Sequence, residues 1–255
     1  MVKKLIKRSY AFFVYMFLYL PILLLIIYSF NDSKYRGKWN GFTFKWYKEL
    51  FRDQTVAQAL YNTFAIAILA AIIATIIGTI SAIAIHKMKP RWKSIFMNVT
   101  YLPVMNPDIV IGISLLALFA VLKMKLGFIT LLLAHITFNI PYVILAVLPK
   151  LRQLNPYLEE AALDLGATPL QAFFKVILPE IMPGVITGLL LAFTLSLDDF
   201  MVSFFTTGSG VNTLSIKVYS MTKTGVTPKI NALSTLLFMG VLGLLILLQK
   251  REKTN

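Results

Sequence analysis

Cysteine is absent from the 255 residues, and only two histidines, His86 and His135, are present. Disulfides and thiolate metal sites are therefore excluded, and two imidazoles so far apart make a poor start for a metal cluster. No GxxxxGK[ST] loop occurs: the one Gly-Lys pair, Gly37-Lys38, is followed by Trp39. The chain cannot hydrolyse ATP by that route, and little catalytic chemistry is left to it. Acids are also scarce, eleven against twenty-five Lys and Arg, for a net charge of +14. The cations are scattered at the ends of apolar segments and not gathered on one face. That distribution argues against nucleic-acid binding and for snorkelling and lipid-headgroup contacts.

What is abundant is hydrocarbon. Hydrophobic residues make up 58% of the chain, charged residues only 14%, and the mean hydropathy is +0.75. Apolar runs long enough to cross roughly 30 Å of bilayer recur throughout and leave no room for a large soluble domain. We read one all-α membrane domain over 1–255, with spans at about 10–30, 60–85, 94–122, 128–148, 181–205 and 230–248. The first follows Lys3, Lys4, Lys7 and Arg8. It is too long for a signal peptide and lacks a small-residue cleavage site, so it reads as an uncleaved anchor.

Six crossings put both termini on one side. With that side inside, inner segments carry fourteen Lys and Arg and outer segments eleven. The bias favours cytoplasmic termini because Lys87, Lys89, Arg91 and Lys93 join the N-terminal cluster close to helix ends. Most outer cations lie between Lys34 and Arg52, where GFTFKWYKELF reads as an amphipathic helix at the interface. The third span contains Pro103 and Pro107, each lacking a backbone donor, which predicts a kink or unwound turn near Leu102 to Asp108. Irregular backbone at membrane depth is tolerated where it is buried in protein or lines a cavity.

Between the fourth and fifth spans lies a cytoplasmic loop over 151–179, LRQLNPYLEEAALDLGATPLQAFFKVILP. Asn155-Pro156 suits the start of a short helix and Gly166 its stop. Thr168-Pro169 with Gln171 is a capping box opening a second, which Pro179 is expected to end. In the first helix Leu158, Ala161, Ala162 and Leu165 form a small apolar face with Glu160 and Asp164 beside it, a surface suited to a basic groove. Glu160-Ala161-Ala162, Gly166 and Val176-Ile177-Leu178-Pro179 resemble the EAA motif of ABC importer permeases, with Val176 where that family more often has isoleucine.

The likeness extends over nearly the whole chain and is strongest to spermidine/putrescine permeases of the PotC kind. It is carried by Gly41-Phe42-Thr43, Lys45-Trp46-Tyr47, Pro107-Asp108-Ile109-Val110, His135-Ile136-Thr137-Phe138, Ser196-Leu197-Asp198-Asp199 and Thr227-Pro228-Lys229-Ile230-Asn231-Ala232-Leu233. The resemblance implies the six-helix MetI-like fold of type I importers in a bacterial cytoplasmic membrane. It implies a cytoplasmic ATPase dimer held through Glu160, Ala161, Ala162, Asp164, Gly166, Leu178 and Pro179. It also implies a second related permease and an extracytoplasmic polyamine-binding protein. No cofactor or metal is expected in this chain, nor enzymatic activity of its own.

Three acids fall inside the expected spans: Asp108, Asp198 and Asp199. A central Asp costs roughly 2.5–3.5 kcal/mol on insertion scales, so such residues normally face a bundle interior or a wet path. With Tyr101, Asn106 and Ser196 near them in sequence, carboxylates on two helices fit the separated ammonium groups of a linear polyamine. The alternative for each acid is to cap a broken helix or to pair with a lysine of the same bundle. Two other functions are weighed against this one: an ABC permease for another small solute, and an ion-coupled secondary transporter in which these acids bind the coupling ion.

Overall fold

The computed structural model describes residues 2–33, 38–223, 225 and 227–252; Lys34 and Arg36, counted above among the outer cations, lie outside them. The described residues form helices α1 (Val2–Ser29), α2 (Lys45–Arg52), α3 (Gln54–Lys87), α4 (Pro90–Met105), α5 (Asp108–Val121) and α6 (Phe128–Gln153). Then follow α7 (Leu158–Asp164), α8 (Pro169–Ala172), a π-helical stretch (Phe173–Ile177), α9 (Leu178–Asp198), α10 (Met201–Thr206), α11 (Leu214–Lys223) and α12 (Pro228–Glu252). The only extended pairing among them is a single antiparallel bridge between Asn31 and Phe42.

Among the described residues four helices are long and apolar enough to cross a bilayer: Lys7–Ser29, Gln54–Lys87, Phe128–Gln153 and the continuous run Pro169–Asp198. They overlap the first, second, fourth and fifth expected spans, but the last begins inside the expected loop 151–179 and stops at Asp198, short of residue 205; α12 covers the stretch expected as the sixth. The third differs. The break falls where Pro107 predicts it, but α4 and α5 meet at 107°, so 94–122 is a broken span or a re-entrant loop and not one kinked helix.

The chain divides into two compact units, residues 58–216 and the remainder. In the larger unit α3 is largely apolar all round, and between Ala67 and Ala82 small residues mark its buried face. Ala67, Ala70, Ala71, Ala74 and Ala82 are buried, while Ile68, Ile72, Ile76 and Ile80 are exposed. Hydrocarbon solvates isoleucine as well as a protein core does, so close packing of small residues is what holds membrane helices together. On α9 the stripe Ile181, Gly184, Gly188, Ala192 and Ser196 is buried at three- and four-residue spacing. The buried helix α6 packs against it, and Val143 lies where a Cβ on Gly78 would come within 2.7 Å and one on Gly188 within 3.2 Å.

The smaller unit contains α1, α2 and α12. Helix α2 is amphipathic, as its sequence predicts, burying Trp46 and Leu50. Trp46 Nε1 donates to the Asn31 carbonyl at 2.7 Å, and the Tyr47 and Ser29 hydroxyls lie 2.6 Å apart. Beyond α2, Asp53 accepts from the Thr55 amide and hydroxyl at 2.9 and 2.7 Å and pairs with Lys229 Nζ at 2.6 Å. The Lys229 hydrogen bond, then Thr55, holds the Asp53 carboxyl well below the usual carboxylate range.

A carboxylate whose pKa is depressed by folding stabilises the fold above its unfolded pKa, about 3.9. That stabilisation is lost only as pH falls through the lower folded value. Asp53→Asn is therefore expected to cost about 1–2 kcal/mol. Melting of the purified protein in detergent should show an equal loss at pH 5 and pH 8.

Candidate functional site

At the end of α6 the buried Leu151 anchors the chain, and Asn155 Oδ1 accepts the Tyr157 amide at 3.0 Å. This side-chain turn delays the helix start from the expected Asn155-Pro156 to Leu158. Glu159 and Glu160 occupy the first turn of α7, where carboxylates suit the exposed amides. Gly166, at φ +85°, ends the helix: its N–H bonds the Leu163 carbonyl and the Ala167 N–H reaches back to Ala162. That 6→1 and 5→2 pair needs a left-handed residue at Gly166. The capping box then closes, with the Thr168 amide donating to Gln171 Oε1 at 3.0 Å and the Gln171 amide to Thr168 Oγ1 at 3.3 Å.

Two sequence expectations need correction here. Pro179 does not end the second helix: α8 runs through the π-helical stretch into α9, where Pro179 sits at the start. Its ring would clash with the Lys175 carbonyl in an ordinary α-turn, and the wider turn immediately before it removes that clash. Nor is the Leu158, Ala161, Ala162, Leu165 face exposed as a whole. Ala162 is buried and Leu158 half-buried, so that side packs inward. Leu178, likewise, is half-buried and packs against the core around Val143 and Val147.

What faces outward is acidic and apolar together. Glu160 and Asp164 are exposed with Ala161. Beside them stand Leu165, 90% exposed, Leu170 and Phe174. Glu159, which sequence reasoning passed over, turns the other way and receives Lys87 Nζ at 2.7 Å on both carboxylate oxygens. It ties α7 to the end of α3 across a cavity of about 280 Å³ lined by His86, Arg152, Leu154 and Ile177 among others. The pair is solvent-exposed and contributes little stability; it orients. A helix held in this way presents carboxylates and apolar side chains together, a combination suited to a basic groove.

The acids of the spans separate into two kinds. Asp108 is the first residue of α5, exposed, directly after the Pro107 break. Asn106 caps α4 through its own side chain, donating to the Leu102 carbonyl at 2.8 Å, and Tyr101 is 42% exposed. Asp198, the last residue of α9, is also exposed. Neither carboxylate has an ion-pair partner among the described residues.

Asp199 and Ser196 belong inside. Ser196 accepts a 2.7 Å hydrogen bond from Asn139 Nδ2 between α6 and α9. Asp199, its side chain 6% exposed, accepts the Val202 amide at 3.2 Å and the Ser203 amide at 2.7 Å, and Oδ2 lies 3.5 Å from His135 Nε2. This is the helix-capping alternative weighed above, with histidine as the bundle partner. His135 and Asn139 carry no signal in composition that marks them. Only their 3.6-residue register with buried Ala134, Phe138 and Val143 places them inside.

Residues 74–250 match the family described as "binding-protein-dependent transport system inner membrane component". The chain is 42% identical over 250 residues to the spermidine/putrescine transport system permease protein PotC of Haemophilus influenzae, covering 98% of this chain and 97% of that one. It is 44% identical over 235 residues to the putrescine transport system permease protein PotI of Escherichia coli strain K12, covering 89% and 83%. The fold aligns at a TM-score of 0.70, with 18% identity and 98% and 97% coverage, to a chain of a bacterial ABC transporter involved in the import of the acidic polysaccharide alginate. The chain belongs to the family of inner membrane components of binding-protein-dependent transport systems.

Proposed function

We propose that this chain is the membrane-spanning permease subunit of an ATP-driven importer of polyamines, spermidine or putrescine, working by alternating access with both termini in the cytoplasm. The observation that carries the proposal is the pair of exposed carboxylates, Asp108 and Asp198, at two helix breaks and with no ion-pair partner among the described residues. Hydrocarbon cannot cover them, so each faces water, another subunit or a cationic solute. Two fixed anions on separate helices match a flexible chain with an ammonium at each end, each held by charge-assisted hydrogen bonds. The relatives named for spermidine and putrescine transport support that choice of solute over a metal ion or an amino acid.

The remaining parts of the machine follow from what the chain lacks. It has no nucleotide loop, so a separate ATPase pair docks at Glu160, Asp164 and Leu165. Its outer segments are rich in Lys and Arg, which repel a free polycation; a binding protein therefore concentrates and delivers the solute. Its exposed acids need cover, which a second, related permease supplies as a heterodimer.

Purified with those partners, the chain should support ATP-dependent spermidine uptake in vesicles treated with ionophores; uptake that follows an ion gradient and ignores ATP would sink the proposal. Asp198→Asn is expected to lower uptake at saturating, polyamine-loaded binding protein about tenfold, the loss of one charged hydrogen bond. Normal transport by that variant would remove Asp198 from the path. Glu160→Lys should abolish co-purification of the ATPase, measured on affinity-captured complexes, whereas Glu159→Gln should leave it near wild type.

A further inference from the structure

Asp198 and Asp199 are neighbours in sequence with opposite surroundings, and the geometry between them reaches as far as Asp108. Helix α9 stops at Asp198, and Asp199 takes an extended conformation, φ −62° and ψ 130°. Its two carboxylate oxygens then engage the two amides that start α10. A six-residue helix has little stability of its own. Its position is therefore set by this cap and by what it packs against.

Helix α6 anchors the cap. His135 Nε2 lies 3.0 Å from the Ser203 hydroxyl as well as 3.5 Å from Asp199 Oδ2, with the His135 side chain 1% exposed. Its Nδ1 has no partner. A ring proton on Nε2 has two acceptors within reach and one on Nδ1 has none, which selects the Nε2–H tautomer. A buried carboxylate is costly unless its oxygens are all engaged, so the three side chains and two amides form one unit that cannot loosen piecemeal.

From α10 the contact passes to α5. A Cβ on Gly112 would lie 2.9 Å from the Phe205 ring and 3.2 Å from the Met201 carbonyl, so the two backbones touch with no slack. Gly112 stands one helical turn after Asp108. One rigid chain of contacts thus runs from Asp198, through the Asp199 cap and α10, to Gly112 and Asp108.

We infer that Asp199, His135 and Ser203 are positioning residues that set the separation of the Asp108 and Asp198 carboxylates, and that this separation discriminates between polyamines of different amine spacing. The inference rests on the reading of Asp108 and Asp198 as ammonium-binding groups. Putrescine carries two ammonium groups four methylenes apart, and spermidine adds a third beyond a further three. A shift of either anion changes which pair of amines is held with good hydrogen-bond geometry. Asp199 needs no contact with the solute to do this.

The test uses the assembled transporter in proteoliposomes, supplied with saturating binding protein loaded with either polyamine, so that rates report the membrane step. Asp199→Asn places an amide donor where an oxygen accepted a backbone amide, and Gly112→Ala pushes α5 away from α10. Each should change the ratio of spermidine to putrescine transport about tenfold, per assembled complex. Ser203→Ala should shift it in the same direction by less. Equal proportional loss of both rates, with the ratio within about twofold of wild type, would overturn the inference, because a merely structural role slows both solutes alike. Gly112→Ala leaves the polar cluster intact and keeps the test decisive if Asp199→Asn does not assemble. Asp108→Asn and Asp198→Asn are measured alongside. If they slow both solutes while the ratio in the other variants stays fixed, the ammonium-binding reading stands and the positioning role falls; if they slow neither, both fall.

Discussion

The packing of residues 58–216 depends on how closely α6 is approached. In lipid, apolar side chains gain nothing by leaving hydrocarbon for protein, so a membrane bundle is held by backbone proximity, dispersion and buried hydrogen bonds. Val143 is where that proximity is greatest, with Gly78 of α3 and Gly188 of α9 leaving space only for hydrogen in front of it. A side chain at either glycine would meet the branched Val143 or the backbone behind it. The hydrogen bonds that depend on this register, Asn139 to Ser196 and His135 to Ser203, sit on the same helix at the two preceding turns.

The same helix pair joins the two ends of the candidate machinery. Helix α9 continues from α8 without a break, so Pro169–Asp198 is one rod of 30 residues, about 45 Å long. Its foot carries the exposed side chains of Leu170 and Phe174, where we propose the ATPase docks, and its tip is Asp198. The π-helical turn at Phe173–Ile177, closed by the Leu178 amide on the Phe173 carbonyl, lets Pro179 stand inside the rod without interrupting it. A push at the foot is therefore delivered at the tip. The small-residue stripe Gly184, Gly188, Ala192 is the face along which α9 packs on α6.

Much of this was readable in advance because it rests on local chemistry. The caps at Thr168 and Gly166, the break at Pro107 and the amphipathic face of α2 each follow from a few adjacent residues, and the structure contains all of them. Hydropathy placed the helices but not their orientation. In the middle of α3 large and small apolar residues have the same preference for lipid, and the buried side is marked by alanines and threonines against exposed isoleucines, a contrast that polarity-based periodicity barely detects. Pro179 misled for a related reason. Proline forbids an ordinary α-turn before it, yet the chain has a wider turn available, and only the packing of Ile177 and Leu178 against the core selects it.

The adjacent aspartates show where sequence reading stops. Both are acids in an apolar segment, and a period of 3.6 separates their directions by about 100°. That angle is enough to send Asp199 into α6 and α10 and Asp198 to the surface. Nothing in the dipeptide says which goes where; the answer lies 64 residues earlier, in His135, and 4 residues later, in Ser203. A buried anion so fully engaged is a fixed point, and an exposed anion covalently next to it inherits that fixity. The expense of burying Asp199 is intelligible if what it secures is the position of Asp198, because a solute held by charge-assisted hydrogen bonds is selected by where the anions stand more than by how many there are.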